Sequence, residues 1–233
     1  MDASLPSTTG LPKTVCYIHS YPGAADIIQL LWSGYQKLGM PLIGVDCEDK
    51  PTSWPGSIET IKAGVDIHWM QNRKNLPTRL IKTLRHFLTT DYYRCVVIEY
   101  DTLILGPLPD WPIEPYRMIA KASGGPADGS QASQFFHTPW VFDRSSAGVV
   151  IGVGQKLIDE GIVDRGVHGS PDVFLGLIVD AANMQWEDSG TFSVNSLDLP
   201  ENVIAAQEAY RNGCVFFHGI KDDLQKRAVT AVK

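Results

Sequence analysis

No stretch of this 233-residue chain approaches the ~20 consecutive apolar residues of a membrane-spanning helix. The first dozen residues, Met1-Asp2-Ala3-Ser4-Leu5-Pro6 and onward, carry neither a basic segment nor an apolar core, so they do not read as a secretion signal. Cysteine is scarce and unpaired. Cys16, Cys47, Cys95 and Cys214 lie far apart with no C-x-x-C between them, which argues against a zinc site of the usual paired spacing. Cys16, Cys95 and Cys214 sit inside apolar runs, where a free thiol behaves as a small hydrophobe; this pattern is expected in a reducing compartment, and a cytoplasmic location follows from it. An excess of positive charge is also missing: 20 Lys and Arg against 26 Asp and Glu leave a net charge of -6, with no global pull toward nucleic acid or anionic membrane. The sequence has no G-x-x-x-x-G-K-[ST] phosphate loop, no H-E-x-x-H and no G-x-S-x-G elbow. Internal repeats, low-complexity tracts and interdomain linkers are absent too.

What is present fits one α/β domain spanning 1–233, with 1–12 as a loose tail. Hydrophobic residues make up 44% and charged residues 20%, enough to build a core and too little charge excess for disorder. Thr14-Val15-Cys16-Tyr17-Ile18 reads as a strand. Ile27, Ile28, Leu31, Tyr35 and Leu38 recur at helical spacing until Gly39. Pro41 to Val45 is a second strand ending at Asp46. A helix over 56–63, a strand over 65–70, a helix over 78–88 and the strand Cys95-Val96-Val97-Ile98 continue the alternation. Strand–helix–strand order at this spacing predicts parallel βαβ units, with strands buried on both faces. The second half is less regular: a long aperiodic loop over 122–139, strand 147–151, helices 154–160 and 172–182, and strands 203–206 and 214–217. A loop of that length in a compact domain is usually functional or mobile. The expected whole is a Rossmann-like α/β domain with a central mixed, mostly parallel sheet flanked by helices.

Three segments carry candidate chemistry. In the first, the strand at Ile98 runs into Glu99-Tyr100-Asp101, with two acids at i and i+2. In an extended chain these point to one side, about 6–7 Å apart. At the carboxyl end of a parallel strand, where open α/β sheets bind ligands, such a pair either faces solvent or holds a cation. A hard divalent ion such as Mg²⁺ or Mn²⁺ suits oxygen ligands and phosphates. In the second, Cys214-Val215-Phe216-Phe217-His218-Gly219-Ile220-Lys221 places a ligand-capable histidine and a lysine after a strand. It reads as the completion of a metal and phosphate site, or as a terminal strand with a polar end. In the third, Ser170-Pro171-Asp172 opens a helix. Asp172 there is either a first-turn acid favoured by the helix dipole or a general base facing the cleft.

Taken in order, these segments resemble the GT-A-fold, nucleotide-sugar-dependent glycosyltransferases. The resemblance spans roughly residues 14–221. It implies a nucleotide-binding half over 14–101 and an acceptor and metal half over 102–221. It further implies that Glu99-Tyr100-Asp101 stands for the D-x-D metal motif, Asp172 for the catalytic base of inverting members, His218 for the last metal ligand and Lys221 for a diphosphate contact. Glu99 departs from the family's aspartate, so Asp101 is the direct ligand, and Glu99 acts through water or bonds the ribose. Only one acid, Asp172, stands where the family shows two adjacent acids. By location, His19, Ser20 and Tyr21 would contact base and ribose, Asp46 a uracil N–H, Arg73 and Lys74 the nucleotide, and the Ser145–Gly148 turn the sugar or acceptor. The implied reaction is Mn²⁺- or Mg²⁺-dependent transfer of a hexose from a UDP-sugar donor to a glycan or other hydroxyl acceptor.

Three alternatives are set against this. Gly152-Val153-Gly154 mimics a dinucleotide fingerprint, but Leu157 replaces its third glycine. A sugar-nucleotide nucleotidyltransferase would need a glycine-rich first loop, whereas this one is His19-Ser20-Tyr21-Pro22-Gly23. A non-catalytic carbohydrate-binding protein would use aromatic faces such as Trp54, Trp69, Trp111 or Trp140, yet would not need the acidic strand end.

Overall fold

The computed structural model describes residues 14–21, 23–47, 51–63, 75–109, 115–123, 132–162, 171–188, 190, 192–194 and 206–218. The tail 1–12, the expected strand 65–70, Arg73, Lys74, Ser170 and Lys221 lie outside them.

Strands β1 (Thr14–His19), β2 (Leu42–Asp46), β3 (Glu59–Lys62) and β4 (Arg94–Glu99) form the parallel half of a seven-stranded sheet, and β6 (Arg117–Ser123), β7 (Phe135–Asp143) and β8 (Gln185–Asp188) complete it. The order is β3-β2-β1-β4-β7-β6-β8. β7 runs antiparallel to both β4 and β6, while β8 returns parallel to β6. The sheet is therefore mixed and mostly parallel, as the alternating sequence pattern predicts. A small second sheet joins β5 (Thr102–Ile104), β10 (Phe216–His218) and β9 (Phe192–Val194), with β10 in the middle.

Both faces of the central strands are covered, which explains their uninterrupted apolar runs. Val15, Tyr17, Cys95 and Val97 face the helices α2 (Asn75–Thr89), α3 (Arg144–Asp159) and α4 (Pro171–Ala182) through Leu80, Ile81, Val150, Phe174 and Ile178. Cys16, Ile18, Val96 and Ile98 face the opposite way, toward α1 (Ala25–Lys37) and the small sheet, through Leu31, Tyr35, Phe216 and Phe217. Gly39 ends α1 at φ +66°, a conformation that favours glycine. Cys16, Cys47 and Cys95 are buried and Cys214 is half-buried, and none of the four is in a disulfide.

Several expectations are corrected. The helix over 56–63 is instead the edge strand β3, paired with β2 from Ile43↔Glu59 to Asp46↔Lys62. Ile58 and Ile61 lie three apart and mimic a helical step, but edge pairing decides the conformation. The strand over 147–151 is the interior of α3. Its β-branched run misleads. The determinant is the capping box at Asp143, whose backbone N–H donates to Ser146 Oγ at 2.9 Å while its carboxylate accepts from the Ser146 N–H. The Ser145–Gly148 turn is accordingly the first turn of that helix, and Gly152 and Gly154 are helical rather than a dinucleotide loop. A Cβ on Gly154 would sit 2.7 Å from Ile81 Cδ1, so this glycine serves close helix packing.

The long loop over 122–139 is flanked by strand on both sides: Ala122 and Ser123 close β6, and Phe135 to Pro139 open β7. Pro139 argues against a central strand on sequence grounds. It is accommodated where the β6–β7 register shifts, between Ile119↔Val141 and Lys121↔His137. Ala206, expected to end a strand, is helical with residues 207–211, and Ala206 and Ala209 are buried.

Candidate functional site

The carboxyl ends of β1, β2 and β4 lie side by side, with His19 opposite both Val45 and Glu99. This edge collects the chemistry. After Glu99 the chain turns at once. The Tyr100 N–H donates to the His19 carbonyl at 3.0 Å, and the Tyr35 hydroxyl donates to the Tyr100 carbonyl at 2.8 Å. The turn feeds β5, which pairs antiparallel with β10 so that Thr102 stands opposite His218. A register fixed by the small sheet thus carries residue 218 to residues 99–101.

His218 Nε2 lies 3.4 Å from Glu99 Oε2, and His218 Nδ1 lies 3.3 Å from Asp101 Oδ1. The three candidate ligand atoms fall within 4.8 Å of one another. Two ligands ~2.4 Å from a shared ion can be at most ~4.8 Å apart, so the spacing admits one divalent ion. Thr138 Oγ1 and Thr102 Oγ1 lie 3.3 Å and 3.5 Å from the same His218 Nδ1. Asp101 is 1% exposed, yet among the described residues its Oδ1 makes no hydrogen bond of good geometry; the His218 contact is a long, off-line ion pair. An orphaned buried carboxylate oxygen is costly, and a cation would relieve it. Two carboxylates with one imidazole form a donor set suited to Mn²⁺ or Mg²⁺.

The charges bear out this crowding. Burial, together with Asp101 and Asp172, pushes the Glu99 carboxyl up to about 7 against the opposing pull of His218 and Arg79. Burial disfavours the His218 cation, but Asp101, through charge and contact, and then Glu99 and Asp172 outweigh it and lift its pKa to about 9.

Asp172, second residue of α4, is partly exposed and close enough to act on the charges of Glu99 and His218. Its Oδ2 lies 3.3 Å from His137 Nδ1. Asp46, by contrast, is engaged by the protein. Its Oδ1 accepts from Ser20 Oγ at 3.2 Å, the Thr52 N–H at 3.1 Å and Trp54 Nε1 at 3.1 Å. Any contact to a uracil must use its other oxygen. His19 is buried and shares a 3.0 Å hydrogen bond through Nε2 with Thr83 Oγ1. Burial and then the nearby Arg79 charge hold its pKa well below the ordinary value. Tyr21 stacks against Tyr100, with centroids 6.1 Å apart and planes at 22°. Trp54 is occupied at Asp46 and Trp140 is fully buried, so neither is a free sugar-stacking face; Trp69 and Trp111 lie outside the described residues.

Sequence reasoning missed Arg79 and His137. Arg79 is 4% exposed on α2, donates through Nη2 to the Val45 carbonyl, and leaves Nε without a partner among the described residues. Burial lowers its pKa, while the charges of Cys47, Glu99 and Asp46 oppose that shift. The sequence offered no signal for it: Arg79 and Thr83 lie four residues apart on α2, and their burial is seen only in the fold. His137 was hidden inside the segment taken for a loop. A separate cavity of about 500 Å³, bordered by Trp32, Gln36, Leu42, Glu59 and Tyr92 near the start of β2, contains none of these groups.

Among the described residues, no helix is long and apolar enough to cross a membrane. No protein-family model matches the sequence, and no curated protein does. A solved structure does match: the crystal structure of a glycosyltransferase involved in the glycosylation of the major capsid of PBCV-1. It aligns with a TM-score of 0.52 at 11% identity, over 95% of this chain and 99% of that one. At that identity the likeness is one of fold.

Proposed function

We propose that this protein is a metal-dependent glycosyltransferase of the GT-A type that moves a hexose from a nucleoside diphosphate sugar, UDP-linked, to the hydroxyl of a glycan or other acceptor. One observation carries the reading. Glu99, Asp101 and His218 converge at the carboxyl ends of parallel strands, around a buried Asp101 oxygen without a proper partner. The shared fold with a glycosyltransferase supports it.

Asp101 and His218 would hold the ion directly, with Glu99 beside them. When bound, a divalent ion supplies charge neutralisation for a diphosphate leaving group. His19, Tyr21, Asp46 and Arg73 are assigned to the nucleotide, and Lys221 to the diphosphate. Asp172 accepts the acceptor hydroxyl proton as the acceptor oxygen bonds to the anomeric carbon. The bond from that carbon to the phosphate oxygen breaks, its electron pair leaves with the diphosphate, and the configuration inverts. The four cysteines, none in a disulfide and three of them buried, support a reducing, cytoplasmic setting.

The test is release of UDP from UDP-glucose, UDP-galactose and UDP-N-acetylglucosamine with and without Mn²⁺, together with thermal shift against UDP and GDP. Mn²⁺-dependent release and preferential stabilisation by UDP are expected. Equal stabilisation by GDP would end the uridine assignment, and metal-independent release would end the metal assignment. A product that keeps the donor's anomeric configuration by NMR would exclude the Asp172 mechanism.

A further inference from the structure

Asp172 belongs to a line of three residues drawn from three elements. His137 on β7 places Nδ1 3.3 Å from Asp172 Oδ2, and its Nε2 lies 2.7 Å from Ser123 Oγ at the end of β6. Ser123 pairs with Phe135 and Lys121 with His137 across the antiparallel ladder, so Ser123 and His137 are diagonal neighbours. His137 and Asp172 are both partly exposed, at 26% and 31% of their side chains.

The proton order follows from what each group can do. An ionised carboxylate only accepts, so the ring nitrogen facing it, Nδ1, carries the hydrogen. In the neutral ring Nε2 is then an acceptor, and the Ser123 hydroxyl fills it. Ser123 thereby favours one tautomer, and His137 contacts one carboxylate oxygen, Oδ2, and not the other. The 3.3 Å separation is within hydrogen-bond distance, but the contact is out of line, as is the 3.3 Å contact between His218 and Asp101. A hydroxyl, an imidazole and a carboxylate in line also describe a hydrolase triad. Here the carboxylate is the member whose charge reaches the Glu99, Asp101 and His218 cluster, acting on both Glu99 and His218. The line therefore serves the acid and not the hydroxyl.

We propose that His137 is a positioning residue for Asp172, with Ser123 setting its tautomer. The proposal rests on Asp172 being the base. It adds no new proton transfer to the reaction; it determines where the base oxygen sits.

Nitrogen NMR of the His137 ring in the wild-type protein tests this directly. The expected result is a neutral Nδ1–H tautomer that becomes a mixture in Asp172→Ala and in Ser123→Ala. A predominant Nε2–H form in the wild type, or no response in either variant, overturns the proposal. The wild-type measurement needs no variant to fold. Turnover supplies the second readout, as Mn²⁺-dependent UDP release from the same three UDP-sugars. His137→Ala should lower kcat roughly 10- to 100-fold with the donor KM unchanged. His137→Asn, whose amide nitrogen stands near the place of Nδ1, should recover most of that loss, and His137→Gln should not. Wild-type kcat in His137→Ala, or equal failure of the Asn and Gln variants, overturns the proposal. Asp172→Asn separates the two ideas. If it turns over like wild type, the base assignment falls; if it is inactive while His137→Ala is unimpaired, only the positioning role falls.

Discussion

Two buried aspartates stand at neighbouring strand ends and live in opposite conditions. Asp46, the last residue of β2, is 4% exposed and its Oδ1 accepts from three donors of its own protein. Asp101, just past β4, is 1% exposed, and among the described residues its Oδ1 has only a long contact with an imidazole. Burial alone does not separate them, and neither does position, since both stand at the ends of parallel strands. Satisfaction separates them. A carboxylate whose acceptor is filled by the fold is holding a loop; one left without donors in a crowd of acids is where a cation would be favoured.

The largest effect should come from breaking the orphaned side. Asp101→Asn removes one charge from a cluster of two acids and one histidine, leaving Glu99 and His218 as a balanced pair. Because Glu99 still pairs with His218, the stability loss should stay below the ~3–5 kcal/mol of a buried pair broken to leave a lone charge, while Mn²⁺-dependent UDP binding disappears. Calorimetry at concentrations that saturate the wild type decides this, and wild-type binding by the variant would remove Asp101 from the metal site. Asp46→Ala should show the reverse pattern. The Trp54 indole and the Thr52 N–H would lose their acceptor, at a cost of about 2–4 kcal/mol read by urea unfolding. A stability loss near zero would mean that the three contacts at Asp46 do not hold the loop.

The sequence made one half of the molecule far more legible than the other. In 14–46 and 78–98 the apolar runs are strands and the 3–4 spacings are helices, because strands covered on both faces and helices covered on one follow simple periods. Glu99, Asp101 and His218 could be picked out since each ends a recognisable apolar run. The other half obeys pairing rather than period. β7 contains Pro139, acceptable only because a register shift adjoins it. The run Ala147-Gly148-Val149-Val150-Ile151 has strand composition, yet it is helical because Asp143 and Ser146 cap a helix just before it. His137 was lost with β7. Arg79 was lost for another reason: an arginine on a helix is ordinarily surface, and only the strand ends it packs against show that it turns inward.

A smaller effect sharpens the satisfied side without touching its carboxylate. Gly44 on β2 lies directly beneath Trp54. A Cβ there would meet the indole ring at 2.5 Å, so Gly44→Ala must push the ring away and with it the Nε1 donor to Asp46. A loss of about 1–3 kcal/mol is expected, with Mn²⁺ binding at the Asp101 cluster intact. Combining Gly44→Ala with Asp46→Ala should cost less than the sum, since both remove the same indole contact. Full additivity in urea unfolding would show that the glycine and the aspartate act independently.

The smallest effect concerns His19, which sits between the two aspartates and belongs with the satisfied one. Its Nε2 is paired with Thr83 at 3.0 Å, and burial followed by the Arg79 charge keeps its pKa well below the ordinary 6.5. The sign of the pH dependence follows. Above pH 6.5 neither the folded nor the unfolded state binds this proton, and the folded state is at no disadvantage. As pH falls below that value the unfolded chain alone takes it up, so stability drops, at up to about 1.4 kcal/mol per pH unit. Glu99 works in the other direction over the neighbouring range: raised to about 7 from 4.5, it gains its proton first in the folded state and adds stability as pH falls between those values. The wild-type curve therefore mixes opposing slopes, and His19 has to be read as a difference. His19→Gln, which keeps an amide near Thr83 and cannot titrate, should lose less stability than wild type on acidification from neutral pH. Urea unfolding of both proteins across that range gives the two slopes. Parallel slopes would show that His19 takes up a proton as readily folded as unfolded, and that the strand end it occupies is open to charge as the Asp101 cluster is.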